Sequence, residues 1–445
     1  MTETIAHVHG RQVFDSRGRP TVEVEVTTSG GFMGRAIAPS GASTGRHEAL
    51  ELRDNDAARF GGLGVSRAVS HVCGEIHAEL VGSDVVDQER IDRKLVQIDG
   101  TPNRSRLGAN ALLGVSLAVA RAAAASQNLP LWRYLDRGGN ALLPMPMVNI
   151  ISGGLHAGGA ADFQDYLIIP VGAASYHEAL EMCLQVHRTT AEVLQQLGHP
   201  TLKADEGGYG PVLPDNRAAL DLLMQVVDRA GYAPGQQIAF ALDVAASHFY
   251  SFADKRYQLK LENCSLDAGE MVDRLADLVG RYPIISIEDG LDEDDWPGWQ
   301  SLTARLGDQV ELVGDDLFVT NPERLQRGIE LDAANSVLIK MNQIGTLSET
   351  LAVVDLAKQA GFGTVVSARS GETEDASLAD LAVATGAGQI KIGSVFCSER
   401  LAKYNQLLRI EEALGTSCRF AGRAVFKRLT QDEPPKSLEE EKRRL

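Results

Sequence analysis

The fold of this chain is decided between Tyr282 and Thr346, where the sequence reads YPIISIEDGLDEDDW (282–296), VELVGDDLFVTN (310–321) and SVLIKMNQIGT (336–346). Each segment contains a short apolar run that ends abruptly in a charged residue. Runs this short and this rich in β-branched residues are typical of strands buried on both faces, as in a parallel sheet. The spacing between the runs leaves room for one helix and two loops, which predicts repeated strand–helix units.

The residues that end these runs are Glu288, Asp315 and Lys340, and Asp243 ends the earlier run IAFAL in the same way. In a closed βα barrel the carboxyl ends of the strands converge on one mouth, where such side chains can surround a substrate. Three carboxylates with no neighbouring His or Cys favour Mg²⁺ over zinc. The alternative interpretation is that the acids are structural and form salt bridges.

The same order of strand, loop and helix is repeated through the second part of the chain. A hairpin is predicted at 249–262. Apolar runs occur at 147–151, 166–171, 238–242, 284–287, 310–313, 336–339, 363–366 and 388–390. Eight runs over this length predict a (β/α)8 barrel of the α/β class.

The first part of the chain has a different pattern. Residues 4–38 alternate as in an antiparallel meander, and helical patterns follow at 56–81, 85–97, 108–126 and 130–136. Strands and helices in separate blocks indicate an α+β domain. We therefore predict an N-terminal α+β domain over 1–137, a barrel domain over 138–430 and a charged tail over 431–445.

Composition excludes several function classes. The 445 residues carry a formal net charge of −17, which argues against nucleic-acid binding and against docking on an anionic membrane. The five cysteines are scattered without metal-ligand spacing, which favours reduced thiols in a cytoplasmic protein. The N-terminus lacks the apolar core of a signal peptide. The apolar stretch 108–125 contains Asn110, Ser116 and Arg121, so it predicts a buried helix rather than a membrane span.

Lys340 is a candidate general base, because a lysine beside a divalent cation should have a depressed pKa. Glu206, in KADEGGYGP, is a candidate acid in a loop whose glycines allow close backbone approach. His156 lies in the glycine-rich loop ISGGLHAGGA and has either a ligand-contacting or a structural role. No nucleotide-binding, serine-hydrolase or HExxH motif is present, so those functions are weakly supported.

Donors suited to an anionic substrate occur near the last two strands. Arg369 and Ser370, in VVSARSGETED, offer a guanidinium and a hydroxyl to a phosphate group. Lys391 ends the run GQIK and is a candidate contact for a substrate anion.

At the level of whole motifs, the chain strongly resembles the enolase family, the Mg²⁺-dependent 2-phosphoglycerate dehydratases. The resemblance rests on FDSRGRPTVEVEV, PSGASTG, HEALELRD, GANALLGVSLA, DEGGYGP, LDVAAS, SIEDGLDEDDW, GDDLFVTN, LIKMNQIGTLSET, RSGETED and SERLAKYNQLLRIEEALG. It implies an N-terminal α+β domain that caps a modified eight-stranded barrel, in a homodimer or higher homo-oligomer. It also implies a small anionic phospho- or phosphono-glycerate substrate.

Carried over by position, the resemblance implies a role for each candidate residue. Asp243, Glu288 and Asp315 would be ligands of one Mg²⁺, and Ser43, in the PSGASTG loop, a ligand of a second. Lys340 would take the C2 proton, Glu206 would help to expel the C3 hydroxyl, Arg369 and Ser370 would bind phosphate, Lys391 would contact the substrate carboxylate, and His156 would lie near the substrate. This lysine-plus-Mg²⁺ chemistry is an established pattern of enolase-superfamily sites.

Three positions depart from the family pattern. Ala368, in SARSGETED, replaces an active-site histidine, and Asp165, in QDY, replaces a glutamate that works beside the acid. His248 stands where the family usually has glutamate. The loss of one methylene withdraws the Asp165 carboxylate by roughly 1.5 Å, and a misplacement of ~1 Å can reduce a rate ~100-fold.

Three hypotheses therefore remain open at the level of sequence. The chain is an enolase that has drifted but still acts on 2-phosphoglycerate. Alternatively it is a specialised paralogue, similar to the carboxyphosphonoenolpyruvate synthases of phosphonate and phosphinate antibiotic biosynthesis, in which His-to-Ala replacement makes room for a bulkier phosphorus substituent. The third hypothesis is a non-catalytic protein built on the same scaffold.

Overall fold

The structure is a computed structural model that describes residues 2–42, 44–136, 138–139 and 141–426. The predicted tail at 431–445 lies outside the described residues. The chain divides into two compact units. The first unit comprises residues up to Pro144 together with 315–328 and 337–419, and the second comprises 145–314, 329–336 and the chain from Phe420.

The first unit begins with an antiparallel three-stranded sheet, in the order β1–β2–β3, which confirms the predicted meander. Its strands are β1 (Ile5–Phe14), β2 (Pro20–Thr28) and β3 (Met33–Ile37). Val22, Val24 and Val26 alternate along β2 and are fully buried. This period of two is what places one face of a strand in a core.

Helices follow this sheet in the chain. They are α1 (Ser66–His71), α2 (His77–Leu80), α3 (Gln88–Asp99), α4 (Ala109–Ser126) and α5 (Leu131–Leu135). A π-helical turn joins α1 to α2, and the helical pattern predicted from residue 56 begins only at Ser66. Helix α4 packs directly on the sheet, because a Cβ on Gly34 would lie 2.1 Å from the Ala118 carbonyl oxygen. Helix α4 is long and apolar enough to cross a membrane, but 83% of it is buried inside the structure.

Eight strands form a closed barrel, and they coincide with the eight predicted apolar runs. They are β4 (Met145–Ser152), β5 (Asp165–Ile169), β6 (Ala239–Asp243), β10 (Ile284–Glu288), β11 (Glu311–Gly314), β12 (Ser336–Ile339), β13 (Gly363–Ser367) and β14 (Gly388–Gly393). Nearly every residue of these strands is buried, as expected for strands that carry apolar side chains on both faces.

The barrel departs from the regular (β/α)8 pattern at β5, in agreement with the modified barrel that the family resemblance implied. This strand runs antiparallel to both β4 and β6. The physical reason is that no crossover helix lies between β4 and β5, where the connection holds only a short 3-10 turn at Gly154–Ala157. A parallel neighbour needs a long crossover connection, whereas an antiparallel one does not.

The predicted hairpin near 249–262 is extended by a third strand. The structure has β7 (Tyr250–Ser251), β8 (Arg256–Leu259) and β9 (Cys264–Leu266) in a small antiparallel sheet. Its β7–β8 pair is a hairpin, as predicted, and β9 adds to β8.

The remaining helices alternate with the barrel strands. They are α6 (Tyr176–Gln196), α7 (Asn216–Arg229), α8 (Ala268–Arg281), α9 (Trp296–Leu306), α10 (Pro322–Glu330), α11 (Leu347–Gln359), α12 (Ser377–Thr385) and α13 (Ser398–Leu414). Several begin at a side-chain cap that satisfies free backbone N–H groups. At α8, the Asp267 side chain accepts from the Glu270 backbone N–H, and the Glu270 side chain accepts from the Asp267 backbone N–H. Such a capping box contributes about 1 kcal/mol to stability.

Candidate active site

Three carboxylates lie level with one another on adjacent strands of the second unit. Asp165 opens β5 and is the register partner of Asp243 at the end of β6, and Asp243 is in turn the partner of Glu288 at the end of β10. The antiparallel direction of β5 is what brings its first residue to this level. All three side chains are buried. Burying several acids together is unfavourable unless a cation or hydrogen bonds compensate.

The donor set of this group fits Mg²⁺. Asp243 and Glu288 offer carboxylate oxygens only, which are the ligands that hard divalent cations prefer. Gln164 orients Asp243 by donating from Nε2 to Oδ2 across 3.1 Å. The third predicted ligand, Asp315, follows β11 directly and belongs to the first unit.

His156 is held between two acids of the second unit. It lies in the 3-10 turn after β4, is buried, and donates from Nδ1 to Oδ2 of Asp165 across 2.9 Å. Its Nε2 lies 3.9 Å from Oε1 of Glu206. The structure therefore brings together three predicted residues, and their ligand atoms are close enough to one another to hold a metal ion as well.

Electrostatics favour the protonated form of this histidine. Burial lowers the pKa of His156, but the carboxylates of Asp165 and Glu206 outweigh that effect and raise the pKa to about 9. Burial also raises the pKa of the Asp165 carboxyl, which the hydrogen bond from His156 opposes. A protonated imidazole between two acids can hold or pass a proton at Nε2.

The loop that carries Glu206 is fixed to the barrel. Tyr209 forms bridges with Lys203, at the start of the loop, and with Ile151 on β4. The ammonium group of Lys203 also stacks on the Tyr209 ring, a cation–π contact. Gly207 adopts a φ of 86°, which requires glycine and lets the loop turn immediately after the acid.

In the first unit, Lys340 follows β12 and pairs with Asp315. Both side chains are buried, and Nζ of Lys340 donates to Oδ2 of Asp315. Gln343 adds a hydrogen bond from Nε2 to Oδ1 of Asp315 at 2.9 Å, and the Thr320 hydroxyl donates to Oε1 of Gln343 at 2.7 Å. Burial raises the pKa of Asp315, but Lys340 more than offsets this, so that the pKa is lowered.

The guanidinium of Arg369 is buried and ion-paired in the first unit. It donates to both carboxylate oxygens of Glu48, at 3.0 and 3.2 Å, and to Oδ1 of Asn342 at 2.9 Å. Burial lowers the pKa of Arg369, but Glu48 and nearby acids raise it overall. An anion that binds Arg369 must therefore share this cation with Glu48.

The neighbouring residues of the same loop are also held in place. The hydroxyl of Ser370 accepts from the Ala42 backbone N–H at 2.7 Å and from Arg17 at 3.2 Å. Fully buried Arg400 donates to the carbonyl oxygens of Arg369 and Ser370, which fixes the loop from behind.

Lys391 and Ala368 lie on adjacent strands. Lys391 is buried within β14, and its carbonyl oxygen accepts from the Ala368 backbone N–H at 2.8 Å. Ala368 follows β13 directly and is 7% exposed. His248, by contrast, is exposed in the turn Ala246–Phe249. Ser43, the predicted second-site ligand, lies outside the described residues.

Several contacts of the predicted residues were missed at the level of sequence. They are Glu48, Gln343, Arg400, Asn149 and Ser152. Gln343 follows Lys340 within the motif KMNQIG, so that its proximity in sequence was a usable signal. Glu48 and Arg400 carry no such signal, because Glu48 lies 321 positions from Arg369 and Arg400 lies 31 positions from it. Asn149 and Ser152 lie only 16 and 13 positions from Asp165, but their hydrogen bonds depend on the antiparallel pairing of β4 and β5.

Comparison with known proteins agrees with this geometry. Residues 5–135 match the family described as "Enolase, N-terminal domain", and residues 140–429 match "Enolase, C-terminal TIM barrel domain". The chain is also 55% identical over 426 residues to the protein named "Enolase" from Rubrobacter xylanophilus, a match that covers 96% of this chain and 98% of the relative. These matches favour an enzyme over a non-catalytic scaffold. The chain belongs to the enolase family and is an enolase-type lyase.

Proposed function

We propose that this chain removes the C2 proton and expels the C3 hydroxyl of 2-phosphoglycerate, or of a close phospho- or phosphono-glycerate analogue, to give an enolpyruvate. The observation that carries the proposal is the alignment of Asp165, Asp243 and Glu288 on adjacent barrel strands. A group of buried acids beside a histidine suits a reaction that needs both a cation and a proton donor.

The residues divide the reaction between a base and an acid. Lys340 takes the proton from C2, and the C3 hydroxyl leaves as water with a proton supplied by Glu206. His156, which lies between Glu206 and Asp165, keeps a proton beside the acid Glu206. Mg²⁺ held by Asp243, Glu288 and Asp315, with a second ion at Ser43, would stabilise the negative charge that develops on the substrate carboxylate.

Recognition of the anionic substrate falls to the cations of the first unit. Arg369 and Ser370 bind the phosphorus group, and Lys391 contacts the carboxylate. Buried cations of this kind explain how a chain of net charge −17 binds a polyanion. We further propose a cytoplasmic homodimer or higher homo-oligomer, with a domain boundary between residues 137 and 138.

A second candidate is a specialised paralogue in phosphonate or phosphinate biosynthesis, similar to carboxyphosphonoenolpyruvate synthase. Ala368 favours it, because a methyl side chain stands directly before Arg369 in the loop proposed to hold the phosphorus group. A small residue there leaves room for a phosphorus substituent larger than phosphate oxygen. The same proton abstraction and β-elimination serve both candidates.

One experiment separates the two candidates. Purified protein with Mg²⁺ is offered either 2-phosphoglycerate or its phosphonoformyl analogue, and enolpyruvate formation is followed for each. Rapid turnover of 2-phosphoglycerate supports the ordinary activity and defeats the paralogue. Turnover of the analogue alone supports the paralogue. If neither substrate reacts and neither exchanges its C2 proton with solvent, the proposed function is wrong.

A further inference from the structure

Asp165 is held by two side chains that the proposed reaction does not use. Its Oδ1 accepts from Nδ2 of Asn149 and from Oγ of Ser152, the latter at 2.8 Å. Both donors lie on β4, and Ser152 is the register partner of Asp165 across the antiparallel β4–β5 pair. All three side chains are 0–1% exposed. The three side chains are thus shielded from bulk solvent, and the positions of the donors are set by strand geometry.

These two bonds determine how the carboxylate meets the histidine. With Oδ1 occupied by two donors, Oδ2 is the oxygen turned to Nδ1 of His156, at 2.9 Å. The bond to Oδ2 fixes the imidazole so that Nε2 lies 3.9 Å from Glu206. The orientation of one ring nitrogen depends on the partner of the other. The β4 donors thus set the position of Nε2 through Asp165.

The Glu206 loop packs on the same two donors. Gly208, two residues after Glu206, has no side chain, and a Cβ there would lie 2.7 Å from Oγ of Ser152 and 2.8 Å from Oδ1 of Asn149. Real Cβ atoms do not approach other atoms so closely. Glycine at this position therefore lets the Glu206 loop pack against Asn149 and Ser152, the two residues that also donate to the Asp165 carboxylate.

We propose that Asn149 and Ser152 are positioning residues for the elimination half of the reaction. They act through Asp165 and His156 on the proton donor Glu206, and they leave proton abstraction by Lys340 unaffected. The inference rests on the proposed function, since it assigns separate halves of that reaction to separate groups.

Two rates test the proposal, both measured on 2-phosphoglycerate or, if the wild type turns over only the phosphonoformyl analogue, on that analogue. Exchange of the C2 proton with deuterated solvent reports on the base, and enolpyruvate formation reports on the acid side. In Ser152→Ala, we expect elimination to fall about 10- to 100-fold, as is typical for loss of a hydrogen bond to a charged group. Exchange should stay within about twofold of the wild-type rate. Ser152→Thr retains the hydroxyl and should recover most of the elimination rate.

Ser336→Ala is the matched control. Ser336 is also a fully buried serine on a barrel strand, and among the described residues its hydroxyl has no hydrogen-bond partner. This variant should change neither rate. Gly208→Ala is the second test variant, because it removes no polar group but displaces both donors; it should lower elimination and preserve exchange.

Equal losses of exchange and elimination in Ser152→Ala and Gly208→Ala would show a merely structural role and overturn the proposal. Unchanged elimination in both variants would overturn it as well. If Ser152→Ala does not fold, Gly208→Ala decides between these outcomes, and failure of both variants to fold also marks the role as structural. Loss of both rates in the wild type would instead defeat the proposed function, and the positioning role with it.

Discussion

His156 donates from Nδ1 to Oδ2 of Asp165 across 2.9 Å inside the second unit. The pair is buried, and Asp165 lies at the start of β5, which is antiparallel to both of its neighbouring strands. This bond ties a glycine-rich loop to the barrel and keeps a positive charge beside Glu206. Its consequences can be measured in stability as well as in catalysis.

The pKa of His156 predicts a pH dependence of folding. Its folded-state pKa of about 9 lies above the ordinary value of 6.5, so the stabilising contribution is complete below the lower value and is lost as the pH rises through about 9. The contribution is of order 3 kcal/mol. The free energy of unfolding of metal-free protein, measured by urea denaturation, should therefore fall as the pH rises from about 7 to about 9. His156→Gln should flatten this dependence.

His187→Gln is the control for that measurement. Burial and the Lys203 charge lower the pKa of His187 to about 4, so this buried histidine is neutral throughout the same pH interval. Its replacement should leave the slope as in the wild type. A wild-type slope that persists in His156→Gln would contradict the assignment of the charge to His156.

Lys340 should be needed for proton abstraction. Lys340→Met keeps an unbranched side chain but removes the amine, and we expect C2 proton exchange to fall by about 10²- to 10⁴-fold. Lys94→Met is the control, since Lys94 is a partly exposed lysine on α3. Exchange that survives at the wild-type rate in Lys340→Met would exclude this residue as the base.

Removal of the negative charge of Asp243 or of Glu288 should stabilise the metal-free protein and weaken its binding of Mg²⁺. Asp243→Asn or Glu288→Gln removes a buried negative charge, which relieves repulsion in the metal-free protein and should raise its unfolding temperature. The same variants should bind Mg²⁺ more than about tenfold more weakly in calorimetry, because a charged oxygen ligand is lost.

The control for this comparison is Asp277→Asn, which changes a half-exposed carboxylate on α8 paired with Arg281. It should affect neither the metal-free unfolding temperature nor Mg²⁺ binding. Unchanged Mg²⁺ affinity in both Asp243→Asn and Glu288→Gln would disprove the metal site on β6 and β10.

Ala368→His combined with Asp165→Glu should raise the rate of 2-phosphoglycerate dehydration. The longer carboxylate extends roughly 1.5 Å further, and the imidazole restores a donor before Arg369. Initial rates of the double variant and of each single variant provide the measurement. If the double variant gains nothing, these two positions do not determine substrate choice.

The local pattern was sufficient to predict the barrel. Each of the eight apolar runs is short, rich in β-branched residues and bounded by turns, and such a signal does not depend on distant parts of the chain. The direction of β5 was not predicted, because strand direction depends on the connection and not on the run itself.

By itself, the sequence determined the strands, the positions of Asp243, Glu288, Asp315 and Lys340 at or just beyond their ends, and the enolase resemblance. Only the tertiary structure decided which groups meet. Arg369 pairs with Glu48 across 321 positions of the chain, and the antiparallel β5 brings Asp165 level with Asp243. The physical reason is that side-chain periodicity is a local property, whereas hydrogen-bond partners are chosen by strand register and long-range packing.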